Sequence, residues 1–138
     1  MSKSIILADT GPLVALLTET EASHAWAVER CRELPAPFLT SEPVLAETFF
    51  LVSRLPNGGR RYFDLLDSGL LTVGFSVLSE REALRKLIQK YADLPMSLAD
   101  ASLVRLAELH SGAAVFTLDS HFRVYRKNGR QQIPVVMP

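Results

Sequence analysis

The stretch Ser4-Ile5-Ile6-Leu7-Ala8-Asp9-Thr10-Gly11-Pro12 decides how this chain folds. Its first half is a short apolar run, suited to a buried strand. Its second half stops that strand and opens a helix. Pro12 suits a first helical turn, and Asp9 or Thr10 stands where a cap is needed. Asp9 does not fit a quiet interior. A carboxylate at the end of so apolar a strand is costly to desolvate unless something compensates it.

The same alternation continues downstream. Residues 22–34 read as a helix ended by Pro35 and Pro37, and Phe38-Leu39-Thr40 as a second strand. Ser41-Glu42-Pro43 starts a helix that is expected to reach about Leu55. After the break at Pro56-Asn57-Gly58-Gly59, residues 60–68 read as a short amphipathic helix and 70–77 as a third strand. Ser79-Glu80-Arg81-Glu82 has capping-box spacing for a helix over 79–92, and Ser97 opens another over 97–110 that Gly112 closes. Residues 113–117 read as a fourth strand, 120–127 as a short helix, Asn128-Gly129 as a turn and 133–137 as a last strand. The strands are apolar runs without period-two alternation, as expected when both faces are covered. Strands alternating with helices then predict a parallel sheet between helix layers.

Composition narrows the function. A chain of 138 residues, 48% of them hydrophobic, predicts one domain spanning residues 1–138 with a real core. Formal net charge is zero, so a globally basic nucleic-acid binder is not indicated. The charge is uneven, however: after Asp119 come Arg123, Arg126, Lys127 and Arg130 and no further acid. The single cysteine, Cys31, rules out an intramolecular disulfide framework and a multi-cysteine zinc site, and suits a reducing cytoplasm. The first apolar run is interrupted by Asp9-Thr10-Gly11-Pro12, and no stretch approaches the ~20 residues of a membrane span. There is no Walker motif, and His24, His110 and His121 lack ligand spacing.

Four acids carry the chemistry: Asp9, Glu47, Asp100 and Asp119. Asp9 and Asp119 each follow a predicted strand, and in an open parallel sheet ligands sit at the carboxyl ends of strands. Glu47 lies in a helix among Val44, Phe50 and Leu51, an unusual setting for a solvated glutamate. Asp100 lies in the first turn of its helix. Each has a plain alternative: Asp9 and Asp119 as helix caps, Asp100 as the acid of a capping box with Ser97, Glu47 as a rim residue. Four such coincidences together are a weaker account than a shared cleft holding a divalent cation through oxygen ligands. Thr10 and Thr117 flank the acids, as caps or as holders of ion-bound water. Asp93 is an auxiliary candidate on a loop.

Ala8-Asp9-Thr10-Gly11-Pro12-Leu13-Val14-Ala15-Leu16, Pro43-Val44-Leu45-Ala46-Glu47, Leu98-Ala99-Asp100-Ala101 and Phe116-Thr117-Leu118-Asp119-Ser120-His121-Phe122 occur in that order. The set resembles the PIN-domain nucleases, especially the VapC-like toxins of bacterial toxin–antitoxin pairs, over essentially the whole chain. The resemblance implies a three-layer α/β/α sandwich around a mostly parallel sheet, and ribonuclease activity dependent on Mg²⁺ or Mn²⁺. It carries the acidic quartet onto Asp9, Glu47, Asp100 and Asp119, and its supporting hydroxyls onto Thr10 and Thr117. Members often have a further acid where this chain has His121, which bears on how many ions bind.

On that basis the substrate is RNA, with Arg123, Arg126 and Lys127 as candidate contacts to its backbone. A homodimer is expected, because the helix from Pro43 carries Val44, Leu45, Phe49, Phe50, Leu51, Val52 and Leu55, more than one apolar face. The expected partner is a small antitoxin, anchored beside that helix and sending a basic side chain to the acids. Arg54, Arg60 and Arg61 are candidates to meet its acidic part. The alternatives are an RNA-processing nuclease outside any toxin pair, or a PIN-fold binding module without turnover. Aspartyl-phosphate chemistry is disfavoured, since Gly11 stands where a haloacid-dehalogenase-like fold needs its second acid.

Overall fold

A computed structural model describes residues 4–138. Five strands form a parallel sheet in the order β3-β2-β1-β4-β7: β1 (Ile6–Ala8), β2 (Phe38–Thr40), β3 (Leu71–Val73), β4 (Ala114–Phe116) and β7 (Val135–Val136). Six helices flank it: α1 (Thr10–Leu17), α2 (His24–Glu33), α3 (Glu42–Val52), α4 (Gly58–Asp67), α5 (Arg81–Lys90) and α6 (Leu98–Leu109). This is the expected α/β/α architecture. β1 is buried at every residue, which is why its sequence shows no alternation.

The strand order creates the site's location. From β1 the chain moves outward to β2 and β3, then returns to lay β4 on the other flank of β1. Connections therefore leave β1 and β4 in opposite directions and open a crevice at their carboxyl ends. The register pairs Ile6 with Ala114, Leu7 with Val115 and Ala8 with Phe116. The Asp9 amide then donates to the Phe116 carbonyl at 3.0 Å, so Asp9 and Thr117 emerge side by side. Beneath them the Phe116 ring packs between Trp26 and Phe38, with centroids 5.3 and 5.8 Å away.

Four expectations need correction. The strand expected over 70–77 is only Leu71–Val73, with Thr72 and Val73 exposed, because it is an edge strand with no further neighbour. The helix expected to reach Leu55 ends at Val52. The capping box at Ser79 does not form. Its amide donates to Ser76 Oγ at 3.1 Å, α5 starts at Arg81, and the Glu80 carboxylate turns to Arg105 at 3.0 Å. The helix expected over 120–127 is a 3₁₀ turn (Ser120–Arg123), after which β5 (Arg126–Lys127) pairs antiparallel with β6 (Gln131–Gln132). Asn128 and Gly129 turn that hairpin with φ of 51° and 84°, the left-handed pair such a turn demands.

Gly58 is fixed by contact. A Cβ there would stand 1.7 Å from the Val52 carbonyl oxygen, whereas one on Gly59 would meet nothing within 4 Å. Gly58→Ala should therefore cost at least ~2 kcal/mol in urea unfolding, as overpacking against backbone does. Gly59→Ala, in the same helix, should be neutral or stabilising by up to about 1 kcal/mol. Equal stabilities for the two variants would contradict this packing.

Candidate metal centre

Asp9 caps α1 and is only 5% exposed. Its Oδ1 accepts from the Thr10 amide at 2.8 Å and its Oδ2 from the Thr117 hydroxyl at 2.7 Å. Thr117 Oγ1 in turn accepts from the Asp119 amide at 2.9 Å. The residue expected as a support thus ties the acid after β1 to the acid after β4. Asp119 Oδ1 accepts from the His121 amide at 2.9 Å and lies 3.1 Å from His121 Nδ1.

Asp100 does what both accounts of it required. It completes a capping box, accepting from the Ser97 amide at 3.1 Å while its own amide donates to Ser97 Oγ at 3.0 Å. It also lines the crevice. A cleft of about 260 Å³ is walled by Asp9, Thr10, Gly11, Glu47, Leu51, Asp100, Leu118 and Asp119. All four predicted acids and Thr10 are there, with no lysine or arginine among the lining residues. Asp93 is exposed on the turn after α5 and does not line it.

The electrostatics follow from that crowding. Burial lifts the Asp9 carboxyl to a pKa of about 7, against the opposing hydrogen bonds from Thr117 and Thr10, and Asp100 and Glu47 push the same way as burial. Burial also raises Glu47, offset by the nearby Thr10 hydroxyl and reinforced by Asp100 and Asp119. Asp100 is raised by burial and by Asp119, against the Ser97 amide. Tyr125 lies beneath, fully buried and pushed far above the tyrosine range by burial and then by Asp100, Asp119 and Asp9. It remains a neutral donor to the Pro95 carbonyl at 3.0 Å.

Every donor in the cleft is a hard oxygen, the chemistry of a divalent cation with oxygen ligands. Thr10 Oγ1 is buried near the Glu47 carboxylate but closes no hydrogen bond of good geometry with it, which leaves the hydroxyl able to meet a ligand or its water. No three His, Cys, Asp or Glu side chains among the described residues close into a ready-made ion cage. The open cleft suits an ion that keeps several waters and takes only part of its shell from carboxylates. A larger cavity of about 570 Å³ lies between α5, α6 and the hairpin. Its Glu80 and Glu108 are already paired with Arg105 at 3.0 and 3.1 Å, so it lacks the unrelieved charge of the acidic cleft.

The basic run is not a helix face. Arg123 is exposed and its Nε lies 3.5 Å from Met137 Sδ, while Lys127 is buried. Arg126 Nη1 donates to the carbonyls of Arg123, Val124 and Tyr125 at 2.7, 3.0 and 3.2 Å, closing the 3₁₀ turn. None of the three lines the acidic cleft. Sequence reasoning missed Leu51 and Leu118 as apolar walls; nothing in their types distinguishes them from core residues.

The PIN domain profile matches residues 6–128. Ribonuclease VapC26 of Mycobacterium tuberculosis is 30% identical over 135 residues, covering 95% of this chain and 99% of the relative. The fold superposes on the crystal structure of Mycobacterium tuberculosis VapC20, a sarcin-ricin loop cleaving toxin, with a TM-score of 0.73 at 21% identity, over 83% of this chain and 90% of that one. It also superposes on VapBC2 of Rickettsia felis, solved with a DNA fragment from its promoter, with a TM-score of 0.62 at 16% identity, over 97% and 98% of the two chains.

Asp9 makes stability depend on pH. Between its unfolded value of 3.8 and about 7, the folded state keeps a proton that the unfolded chain releases. That contribution favours folding at low pH and is lost as pH rises through 7. In EDTA, urea unfolding should show wild type losing stability from pH 5 to 8 by roughly 2 to 3 kcal/mol more than Asp9→Asn, which has no proton to lose. Parallel pH profiles for the two proteins would count against a buried, strained Asp9.

Proposed function

The chain belongs to the PIN-domain family, and on that premise we propose a divalent-cation-dependent ribonuclease that serves as the toxin of a toxin–antitoxin pair. The observation that carries the proposal is the convergence of Asp9, Glu47, Asp100 and Asp119 on one cleft without a compensating basic side chain. A relative named as a ribonuclease, matched over nearly its whole length, supports the same activity.

Mg²⁺ or Mn²⁺, when bound, supplies an acidified water for attack on phosphorus and offsets charge on the phosphoryl oxygens. The chain's own residues hold the site for it. Asp9 is the fixed anchor, since both its oxygens are already oriented by Thr10 and Thr117. Asp100 is held by its own capping box, and Asp119 by Thr117 and His121. Glu47 brings a carboxylate from α3. No protein nucleophile is required. Of the three candidate contacts, Arg123 is the exposed one and remains a candidate to meet the RNA backbone; Arg126 and Lys127 contribute mainly to the hairpin beside it.

The partners follow from α3. Its Val44, Leu45, Thr48 and Val52 face inward, while Phe49, Phe50 and Leu51 are 39, 57 and 42% exposed. Phe63 of α4, 55% exposed, extends the patch, and Phe49 packs against it at 6.1 Å between ring centroids. So large an apolar surface supports a homodimer across α3 and α4. A cleft of about 250 Å³ beside α3, lined by Leu17, Val52, Leu55 and Arg61 among others, is the candidate seat for the antitoxin's apolar anchor. Arg61 there already spans the Leu17 carbonyl and Glu19, at 3.1 and 3.3 Å. No helix among the described residues is long and apolar enough to cross a membrane.

Purified protein should cleave RNA with Mg²⁺ or Mn²⁺ and stop in excess EDTA. Asp9→Asn or Asp100→Asn should lower the rate at least ~100-fold while leaving the fold intact, because ion binding needs the charge. Full activity of Asp9→Asn would sink the nuclease assignment. Expression of the chain alone should arrest growth, and the adjacent small gene should relieve it. Harmless expression of a protein active on RNA would leave a housekeeping nuclease instead. Light scattering should give a dimer mass that Phe50→Glu with Phe63→Glu converts to monomer; a wild-type monomer at high concentration would contradict the interface.

A further inference from the structure

Beneath the cleft runs a chain of buried hydroxyls. Ser102, fully buried on α6, donates to the Ala99 carbonyl at 2.7 Å. That carbonyl belongs to the peptide bond whose nitrogen is that of Asp100, and this amide donates to Ser97 Oγ. Ser102 has thereby used its only proton, so in its 2.7 Å contact with Ser41 the Ser41 hydroxyl is the donor. Ser41 is also fully buried and caps α3, accepting from the Val44 amide at 3.3 Å. Thr48, next to Glu47, donates to the Val44 carbonyl at 2.8 Å. Hydrogen bonds thus join the turn of α3 that carries Glu47 to the peptide group of Asp100.

We propose that the Ser41–Ser102 hydroxyl pair is a positioning device that fixes the spacing of Glu47 and Asp100 across the cleft, and with it the affinity for a divalent cation. This rests on the nuclease function proposed above. Apolar packing between α3 and α6 is non-directional, whereas a hydroxyl pair has one geometry. Ion sites tolerate ligand displacements of only a few tenths of an ångström. Groups behind the ligands therefore act on affinity without touching the ion. A Ser41 that merely capped a helix, beside a Ser102 that merely bonded its own turn, would affect stability alone.

Ser41→Ala, Ser102→Ala and the double variant separate these roles, read by ion-free thermal unfolding and by Mn²⁺ titration calorimetry. Ser102→Ala strands the Ser41 proton in a dry site and Ser41→Ala removes the acceptor of the Val44 amide, so each single variant should melt below wild type. The double variant should lose less than the two single losses added together, because the proton stranded in Ser102→Ala leaves with Ser41. Mn²⁺ affinity should fall about 10-fold in each single variant and stay low in the double. Ser102→Cys, close in size with a weak donor, replaces Ser102→Ala if the latter is unfolded at the titration temperature. Wild-type affinity in folded variants overturns the positioning role and leaves the nuclease function standing. A wild-type protein that binds no Mn²⁺ overturns the function and, with it, this proposal.

Discussion

A carboxylate held dry at the junction of two strands governs the rest of this structure. The β1–β4 register places Asp9 beside Thr117 at the floor of the crevice, where water is excluded. Two hydrogen bonds offset part of the desolvation cost, yet the acid still sits near pKa 7. Three further acids line the same cleft and no lysine or arginine does, so the fold holds unrelieved negative charge. Strain of this kind persists where function requires it. Its relief by a bound cation is the simplest physical account of why the arrangement is stable enough to exist.

The supporting groups are mostly hydroxyls and amides, and they serve twice. Asp9 is a helix cap as well as a cleft acid, and Asp100 is at once a cleft acid and the acid of the capping box that Ser97 opens. Setting cap against site as alternatives is therefore a false choice here. A cap fixes the rotamer of the acid, and a fixed rotamer is what a preorganised ion site needs. Thr40 adds to the same floor by donating to the Ala8 carbonyl at 2.8 Å.

α3 joins this chemistry to the outside. One side of the helix packs on the core, Glu47 and Leu51 face the cleft, and Phe49 and Phe50 face solvent with Arg54 lying 4.2 Å over the Phe50 ring. A partner covering that surface would lie within reach of the acids. Occupancy of the site and association of the protein are therefore open to coupling through one helix.

The fold class was legible because short apolar runs alternate with helix signals from residue 4 onward, and the four acids because each lies at the end of or inside an apolar segment. The Asn128-Gly129 turn was legible too, but not the hairpin it joins. β5 and β6 are two residues each, too short to show a period, and Arg126 reads as helical until its guanidinium is seen closing the preceding 3₁₀ turn. Ser79 failed as a cap because the helix begins two residues later, at Arg81, and Glu82, the acid of the expected box, pairs with Arg85 at 2.7 Å instead. By itself the sequence determined the alternation of strands and helices and singled out the four acids that line one cleft, since both depend on local pattern and side-chain chemistry. Only the tertiary structure decided that β4 lies against β1, that Thr117 bridges Asp9 to Asp119, and that Ser41 meets Ser102, because those contacts join residues far apart in the chain.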